Sequence, residues 1–454
     1  MSRVYVVSLG CDKNRVDGEV MIGCLRSAGY DIVDSPMQAL AIVVNTCGFI
    51  KDAVQESIDL ILELAEYKNT HVCEFLIVVG CMAKRYKNEI LVDIPEIDAV
   101  LGVGEYEKIV NIIGSKLKID ATGRASPAPT KNGLAHEYRN QNPRLAARID
   151  VKHPHIAHVK IAEGCNTNCT YCTIPSIRGP YKSRPMEEII TECKMLICSG
   201  AKELVLVAQD TALYGEDIYG IKRLPELLEQ ISATGAKWIR LMYVYPEHIT
   251  PKLVFAIAEI DNVCKYIDMP IQHCEDKILK LMGRGSGKLE LANLIRVMRE
   301  TIPGLHIRTT LMVGFPGETA RDFSNLCDFV EQVRFDRMGV FPYSQEEGTP
   351  AAAMKAQVKE SVKKSRYKRL MQLQQAIHFE KQEFLVGKVI EVIIDEFLVD
   401  EGIYIGRPYF DAPDTDSVVY FSSDINFEPG DFCNVLITES DNYDLRGRKH
   451  EPSQ

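Results

Sequence analysis

The sequence predicts an α/β protein in three parts: a small doubly wound α/β domain, a longer (β/α) full or partial barrel, and a small C-terminal β-barrel. Three observations carry this. Short β-branched apolar runs alternate with helical periodicity over residues 1–120 and again, for longer, over residues 156–384. Continuously apolar strands of this kind fit parallel sheets buried on both faces. Residues 121–155 lose the rhythm, and "ATGRASPAPTKNG" has the composition of a linker. Residues 385–454 carry short strand-like runs broken by Gly, Pro and Asp, the pattern of a small barrel.

In the first part Val4–Leu9, Leu40–Thr46 and Phe75–Gly80 read as strands, with helices over Val16–Ala28 and about Asp52–Tyr67. In the second part the strands are "HVKIAE", "ELVLVAQ", "WIRLMYVY", "YIDMPIQ", "HIRTTLMVGF" and "RMGVFPYS". Six βα repeats in about 190 residues suggest a curled sheet, with an open doubly wound sheet as the alternative. Val358–Phe384 reads as one amphipathic helix whose stripe is Val358, Val362, Leu370, Leu373 and Ile377. "KVIEVIIDEF", "GIYIGRPYF", "SVVYFSS" and "FCNVLITES" are the strands of the tail.

With 46% hydrophobic and 26% charged residues, the chain is that of a folded soluble protein. No apolar run approaches the roughly 20 residues of a membrane span, and the N-terminus reads as a first strand, not a signal peptide. Fourteen cysteines in such a chain point to thiols, metal ligands or catalysis in a reducing cytoplasm. Residues 385–454 hold 5 Lys and Arg against 15 Asp and Glu, which accounts for the whole formal net charge of -10. An acidic surface attracts basic partners and repels phosphate backbones, so Asp411, Asp414 and Asp416 are candidates for docking a basic protein. Acidic surface that serves solubility alone is the plainer alternative.

"EGCNTNCTYCTIPSIRG" places Cys165, Cys169 and Cys172 in one loop after the first strand of the second part. Active sites of α/β folds gather at the carboxyl ends of strands. A structural zinc site takes four protein ligands, and no second Cys or His pair follows. An iron–sulfur cube takes one thiolate per iron, so three thiolates leave one iron open to a small molecule. Zinc and a plain electron-transfer cluster are the competing readings. Cys11, Cys47 and Cys81 follow three successive strands of the first part, each with a glycine beside it. Periodicity puts them near one edge of a parallel sheet, where a second three-thiolate site would stand. The other eight cysteines lack ligand spacing and most read as buried hydrophobes, with Cys274 set apart by its neighbour His273.

CxxxCxxC with Tyr171 before the last cysteine resembles the signature of the radical S-adenosylmethionine (SAM) superfamily. With "LGCDKN", "NTCGFI", "GCMAKRY", "DMPIQH" and "PYSQEEGTPAA", the whole chain resembles the methylthiotransferase family. "CDKNRVD" and "SQEEGTPAA" are most similar to its ribosomal-protein-modifying type, RimO. The resemblance implies an N-terminal methylthiotransferase domain, a radical-SAM partial barrel and a TRAM-like tail. It implies two 4Fe-4S clusters: one on Cys165, Cys169 and Cys172 that cleaves SAM to start a radical, and one on Cys11, Cys47 and Cys81 that holds and presents sulfur. A second SAM supplies the methyl group. The implied product is a methylthio group on the β-carbon of an aspartate in ribosomal protein uS12, free or in the small subunit. An electron donor and a sulfur source are implied partners. An unactivated C–H bond explains why a radical cofactor stands where acid–base residues would fail.

Weaker expectations concern SAM. Gln209 and Asp210 end the second barrel strand, where the superfamily often contacts the SAM amino group. Gly314 and Gly317 either approach adenine or simply turn the chain from strand to helix. Arg240 and Arg308 point inward by position, and His273 reads as structural. Gly18 and Gly285 depart from the family pattern, which commonly has serine and a second basic residue there. Two rivals remain: a tRNA (adenosine) methylthiotransferase, which the acidic tail disfavours, and an iron–sulfur electron-transfer or scaffold protein. The basic run "VKKSRYKRL" is the counter-evidence on tRNA and reads as the solvated face of its helix.

Overall fold

The computed structural model describes residues 2–106, 108–116 and 153–451, so residues 121–152 of the expected linker lie outside the described residues. No helix among the described residues is long and apolar enough to cross a membrane. The chain forms two compact units. One contains the N-terminal described residues together with Cys172–Pro180, and the other contains the rest of the chain from residue 153.

In the first unit β1 (Arg3–Ser8), β2 (Asp31–Ile32), β3 (Ala41–Thr46), β4 (Phe75–Gly80) and β5 (Ala99–Leu101) form one sheet in the order β2-β1-β3-β4-β5. Every pair is parallel. Side chains alternate across a strand. Ile42, Val44, Leu76 and Val78 therefore meet Ile61 and Leu64 of the helix Lys51–Ala65 on one face. Val43, Ile77 and Val79 meet Met21 and Leu25 of the helix Asp12–Ser27 on the other. The sheet is doubly wound because both faces are apolar.

In the second unit β6 (Ile156–Lys160), β7 (Ala162–Glu163), β8 (Lys182–Ser183), β9 (Glu203–Val207), β10 (Trp238–Leu241), β11 (Val263–Asp268), β12 (His306–Val313) and β13 (Arg337–Pro342) follow in turn. β7 and β8 pair as a short antiparallel ribbon. The others form a six-stranded sheet in the order β6-β9-β10-β11-β12-β13, all parallel. The order never reverses, so right-handed crossovers place all the helices on one side. That decides for the partial barrel over the open doubly wound sheet. Ile239, Leu241, Ile307 and Leu311 belong to the helix-covered core. Arg240 and Arg308, one residue out of phase, project to the other face, as expected.

β14 (Val389–Leu398), β15 (Ile403–Pro408), β16 (Val419–Ser422), β17 (Phe432–Asp441) and β18 (Asp444–Lys449) close into a barrel in the order β14-β15-β16-β18-β17. The fifth strand has no apolar run, because Leu445 alone of "DLRGRK" is buried. The helix Glu360–Glu383 also departs from its expected stripe. Its buried side is Lys363, Arg366, Leu370, Gln374, Ile377, His378 and Gln382, while Val362 is exposed. Polar residues turn inward there because carbonyls wait for them: Lys363 donates to Tyr343 O (2.8 Å), Arg366 to Glu318 O (3.2 Å) and Gln374 to Phe335 O (3.0 Å). Two of the cations in "VKKSRYKRL" are thus not solvated.

The acidic tail is not wholly a surface either. Asp411 and Asp416 are not docking residues, because both are buried against arginines of the central sheet. Arg337 Nε donates to Asp411 Oδ1 (2.6 Å), Arg308 Nε to Asp416 Oδ1 (3.3 Å), and the Tyr266 hydroxyl to Asp416 Oδ2 (2.7 Å). Asp414 alone of the three is exposed. At the centre, Glu203 accepts from Arg240 Nε and from Arg407 Nη2, each at 2.6 Å, with all three side chains fully buried.

Burial would raise the Glu203 pKa, but the two guanidiniums prevail and hold it at about 2. Its unfolded value is roughly 4.3, so its stabilisation is complete above that pH and is lost as pH falls toward 2. Glu203→Gln strands two buried cations and is expected to cost about 3–5 kcal/mol at pH 7, with the deficit narrowing below about pH 4. Urea unfolding across pH measures this; a loss under about 1 kcal/mol at pH 7 would show that the cluster does not hold the tail to the sheet.

Candidate active site

Cys11 caps the start of the helix after β1, Cys47 immediately follows β3, and Cys81 immediately follows β4. The strand order reverses between β1 and β3, and ligands of open α/β sheets sit in the crevice beyond such a switch point. The three thiols are free; Cys11 acts electrostatically on Cys47, and both Cys11 and Cys47 act on Cys81. Burial pushes the Cys81 thiol up to about 11, against the charge of Arg178.

Close backbone approach makes this convergence feasible. Gly10 has φ +90°, and a Cβ there would stand 2.8 Å from Cys47 Cβ. A Cβ on Gly48 would stand 2.7 Å from the Met82 backbone. Asn14 ties two of the loops, donating to Leu9 O (2.7 Å) and Thr46 O (3.0 Å). At the departure from the family pattern, a Cβ on Gly18 would meet Ser8 Oγ at 2.2 Å.

Among the described residues no three His, Cys, Asp or Glu side chains close to the spacing that holds one ion. A four-iron cube takes each thiolate on its own iron, so its ligands stand wider apart. The donor set of three free thiols at one sheet edge fits such a cluster.

In the second unit Cys165 and Cys169 follow β6 and β7. Cys172 lies in the segment assigned to the first unit. Cys169 Sγ is 2.9 Å from the Tyr245 hydroxyl, and the Arg284 guanidinium lies 3.8 Å above the Tyr245 ring. Tyr171 packs edge-on to Phe315, with centroids 6.3 Å apart. Gln209 donates to Glu163 Oε1 (2.7 Å), while its own Oε1 is buried without a partner among the described residues.

Asp210 is committed within the protein. Oδ1 accepts from Ala212 N (3.1 Å) and Tyr245 N (3.4 Å), and Oδ2 bonds His248 Nδ1. Gly314 and Gly317 both have positive φ, and a Cβ on Gly314 would strike Lys363 Cγ at 2.3 Å. Glu318 accepts from the Gly314 and Phe315 amides, so these glycines shape the turn after β12. His273 is buried; burial lowers its pKa to about 3, and Nδ1 accepts from Glu275 N (3.0 Å). At the other departure from the family pattern, Gly285 N donates to Glu247 Oε1 (3.2 Å).

Sequence reasoning passed over Tyr245, His248, Arg284, Asn14, Asp17 and Arg178. Asn14 and Asp17 stand in the quoted "CDKNRVD", and Tyr245 ends a predicted strand. Nothing along the chain pairs Arg284 or Arg178 with a cysteine. Tyr243 (φ 58°) and Gln272 (φ 69°) hold the left-handed conformation just past β10 and β11, a placement typical of functional edges.

Fold and site define a radical-SAM enzyme. Family models agree: Uncharacterized protein family UPF0004 matches residues 3–102, the Radical SAM superfamily residues 159–330 and the TRAM domain residues 386–449. The protein named ribosomal protein uS12 methylthiotransferase RimO from Acetivibrio thermocellus is 47% identical over 448 residues, 98% of each chain. Its namesakes from Lachnoclostridium phytofermentans and Clostridioides difficile are each 46% identical over 98% of this chain and over 99% and 98% of their own. The chain belongs to the RimO family of methylthiotransferases and is a transferase. The radical-SAM family implies a 4Fe-4S cluster and SAM. Among solved structures, the radical SAM methyltransferase TsrM from Kitasatospora setae shares the fold, with a TM-score of 0.55 over 77% of this chain and 74% of that chain at 14% identity.

The Cys11–Cys47–Cys81 edge is testable through its glycines. Gly10 and Gly29 have nearly equal φ, +90° and +87°, but a Cβ on Gly29 meets nothing within 4 Å among the described residues. Both alanine variants carry the left-handed cost of about 1 kcal/mol or more. Gly10→Ala is expected to lose at least about 1 kcal/mol more than Gly29→Ala in denaturant unfolding, because Cys47 must move. Equal losses would show the loop yields freely.

Proposed function

We propose that this protein adds a methylthio group to the β-carbon of an aspartate in ribosomal protein uS12, using two 4Fe-4S clusters and two SAM per turnover. The observation that carries the reading is the near full-length likeness to relatives named for that protein substrate. Cys165, Cys169 and Cys172 are the proposed ligands of the SAM-binding cluster, and Cys11, Cys47 and Cys81 those of the second. Cluster and SAM together supply the hydrogen abstraction that side-chain bases cannot perform at an unactivated carbon.

The chain's own residues bind and orient. The orphaned Gln209 Oε1 is the proposed acceptor for the SAM amino group. Asp210 fixes His248 and the backbone of Tyr245, whose hydroxyl meets Cys169, and Tyr171 is wedged on Phe315. Gly314 and Gly317 hold the turn proposed to pass under adenine. The exposed acidic residues left on the tail favour a basic protein over tRNA, since phosphate is repelled by the same field. An electron donor and a sulfur source complete the partners, and the target places the work in the cytoplasm.

Replacing Cys165, Cys169 and Cys172 by Ala is expected to abolish SAM cleavage. Replacing Cys11, Cys47 and Cys81 is expected to spare 5′-deoxyadenosine formation and stop methylthiolation. Anaerobic assays of both variants, with mass spectrometry of uS12 and of tRNA from cells with and without the gene, test this. Modification of tRNA with unmodified uS12 would overturn the substrate. SAM cleavage at the original rate in the first variant would overturn the cluster assignment.

A further inference from the structure

We infer that Arg178 is a positioning residue that locks the Cys11–Cys47–Cys81 site and raises the reduction potential of the cluster held there, an inference that rests on the two-cluster reading above. Arg178 ends the short helix Ile174–Arg178, six residues after Cys172, and the chain leaves it through Gly179 at φ +77°. Its side chain is 1% exposed, a costly place for a guanidinium unless every donor is used. Nη1 donates to Asp17 Oδ2 (3.2 Å), itself buried. Nη2 donates to Asn14 Oδ1 (3.1 Å) and to Cys81 Sγ (3.3 Å).

Asn14 passes the connection on. Its amide donates to Leu9 O and Thr46 O, the carbonyls that precede Cys11 by two residues and Cys47 by one. One guanidinium thus reaches the third cysteine directly and the loops of the other two through a single side chain. Arginine suits the task because its rigid planar fork holds three acceptors, Asp17, Asn14 and Cys81, from two terminal nitrogens, a fixed geometry that a lysine's single ammonium lacks.

The same placement has an electrostatic consequence. A cation and a hydrogen bond at a ligand sulfur stabilise the more negative, reduced form of a cluster and so raise its potential. Asp17 sits on the other terminal nitrogen, so the cation is the charge nearer to Cys81.

The test starts from the C165A/C169A/C172A variant, reconstituted anaerobically, so that one cluster remains. If that parent binds no iron, the two-cluster reading fails, and does so visibly before Arg178 is touched. With the cluster present, dithionite titration followed by electron paramagnetic resonance adds one electron to it and reads its midpoint. R178Q is expected to keep the iron, move the midpoint to a more negative value and alter the g-values. R178K, which retains the charge without the fork, is expected to shift the midpoint in the same direction by less. If R178Q folds by circular dichroism but loses its iron, R178K is expected to restore binding. An R178Q midpoint equal to the parent's, iron loss that R178K does not restore, or an R178K midpoint at or above the parent's would overturn the proposal. The last of these holds even if R178Q does not fold.

Discussion

Parallel strands cannot be joined by hairpins, and this constraint organises the molecule. Each strand must return through a crossover, so all carboxyl ends of a sheet open on one edge. In the first unit that edge carries Cys11, Cys47 and Cys81 on the loops after β1, β3 and β4. In the second unit Cys165, Gln209, Tyr245 and Gly314 follow β6, β9, β10 and β12. Residues far apart in the chain reach one edge without any long excursion. The chemistry then depends on how closely the loops approach, which is why glycine stands at 10, 48 and 314.

The amino ends of the central sheet are left for another use. Glu203 and Arg337 open their strands, and Arg240 and Arg308 stand third in theirs, on the face away from the helices. The C-terminal barrel answers them with Arg407, Asp411 and Asp416. Such ion pairs add little net stability against well-packed apolar groups, but any unmatched member is costly. A set of alternating charges is satisfied in one register only, so it fixes where the tail sits better than an apolar contact would. It also redistributes the acidity of the tail, since part of the surplus is neutralised inside and the rest stays on the surface.

Both cysteine sets are braced by side chains that touch a sulfur directly. Tyr245 stands against Cys169 with Arg284 over its ring, and Arg178 stands against Cys81. In the clusters proposed for these thiols, polar groups around the sulfurs would orient them and tune the metal, so these neighbours belong to the proposed sites as much as the thiols do.

The sequence by itself determined the three-part α/β architecture, the strands with continuous apolar runs, the location of Cys11, Cys47 and Cys81 at strand ends and that of Cys165 just past the first strands of the second part. These are local signals: periodicity follows from residues a few positions apart, and a strand's end is where its run stops. The polar strand β18 carried no such run and was invisible. Only the tertiary structure decided which polar residues turn inward. Val362 is apolar yet exposed, while Lys363, Arg366, Asp411 and Asp416 are charged yet buried. A charge is buried when a partner of opposite sign or a free carbonyl waits for it, and that partner lies tens to hundreds of residues away. The pairing of Arg178 with Cys81, Asn14 and Asp17 is of the same kind: each residue is plain in the sequence, and their meeting is a property of the fold.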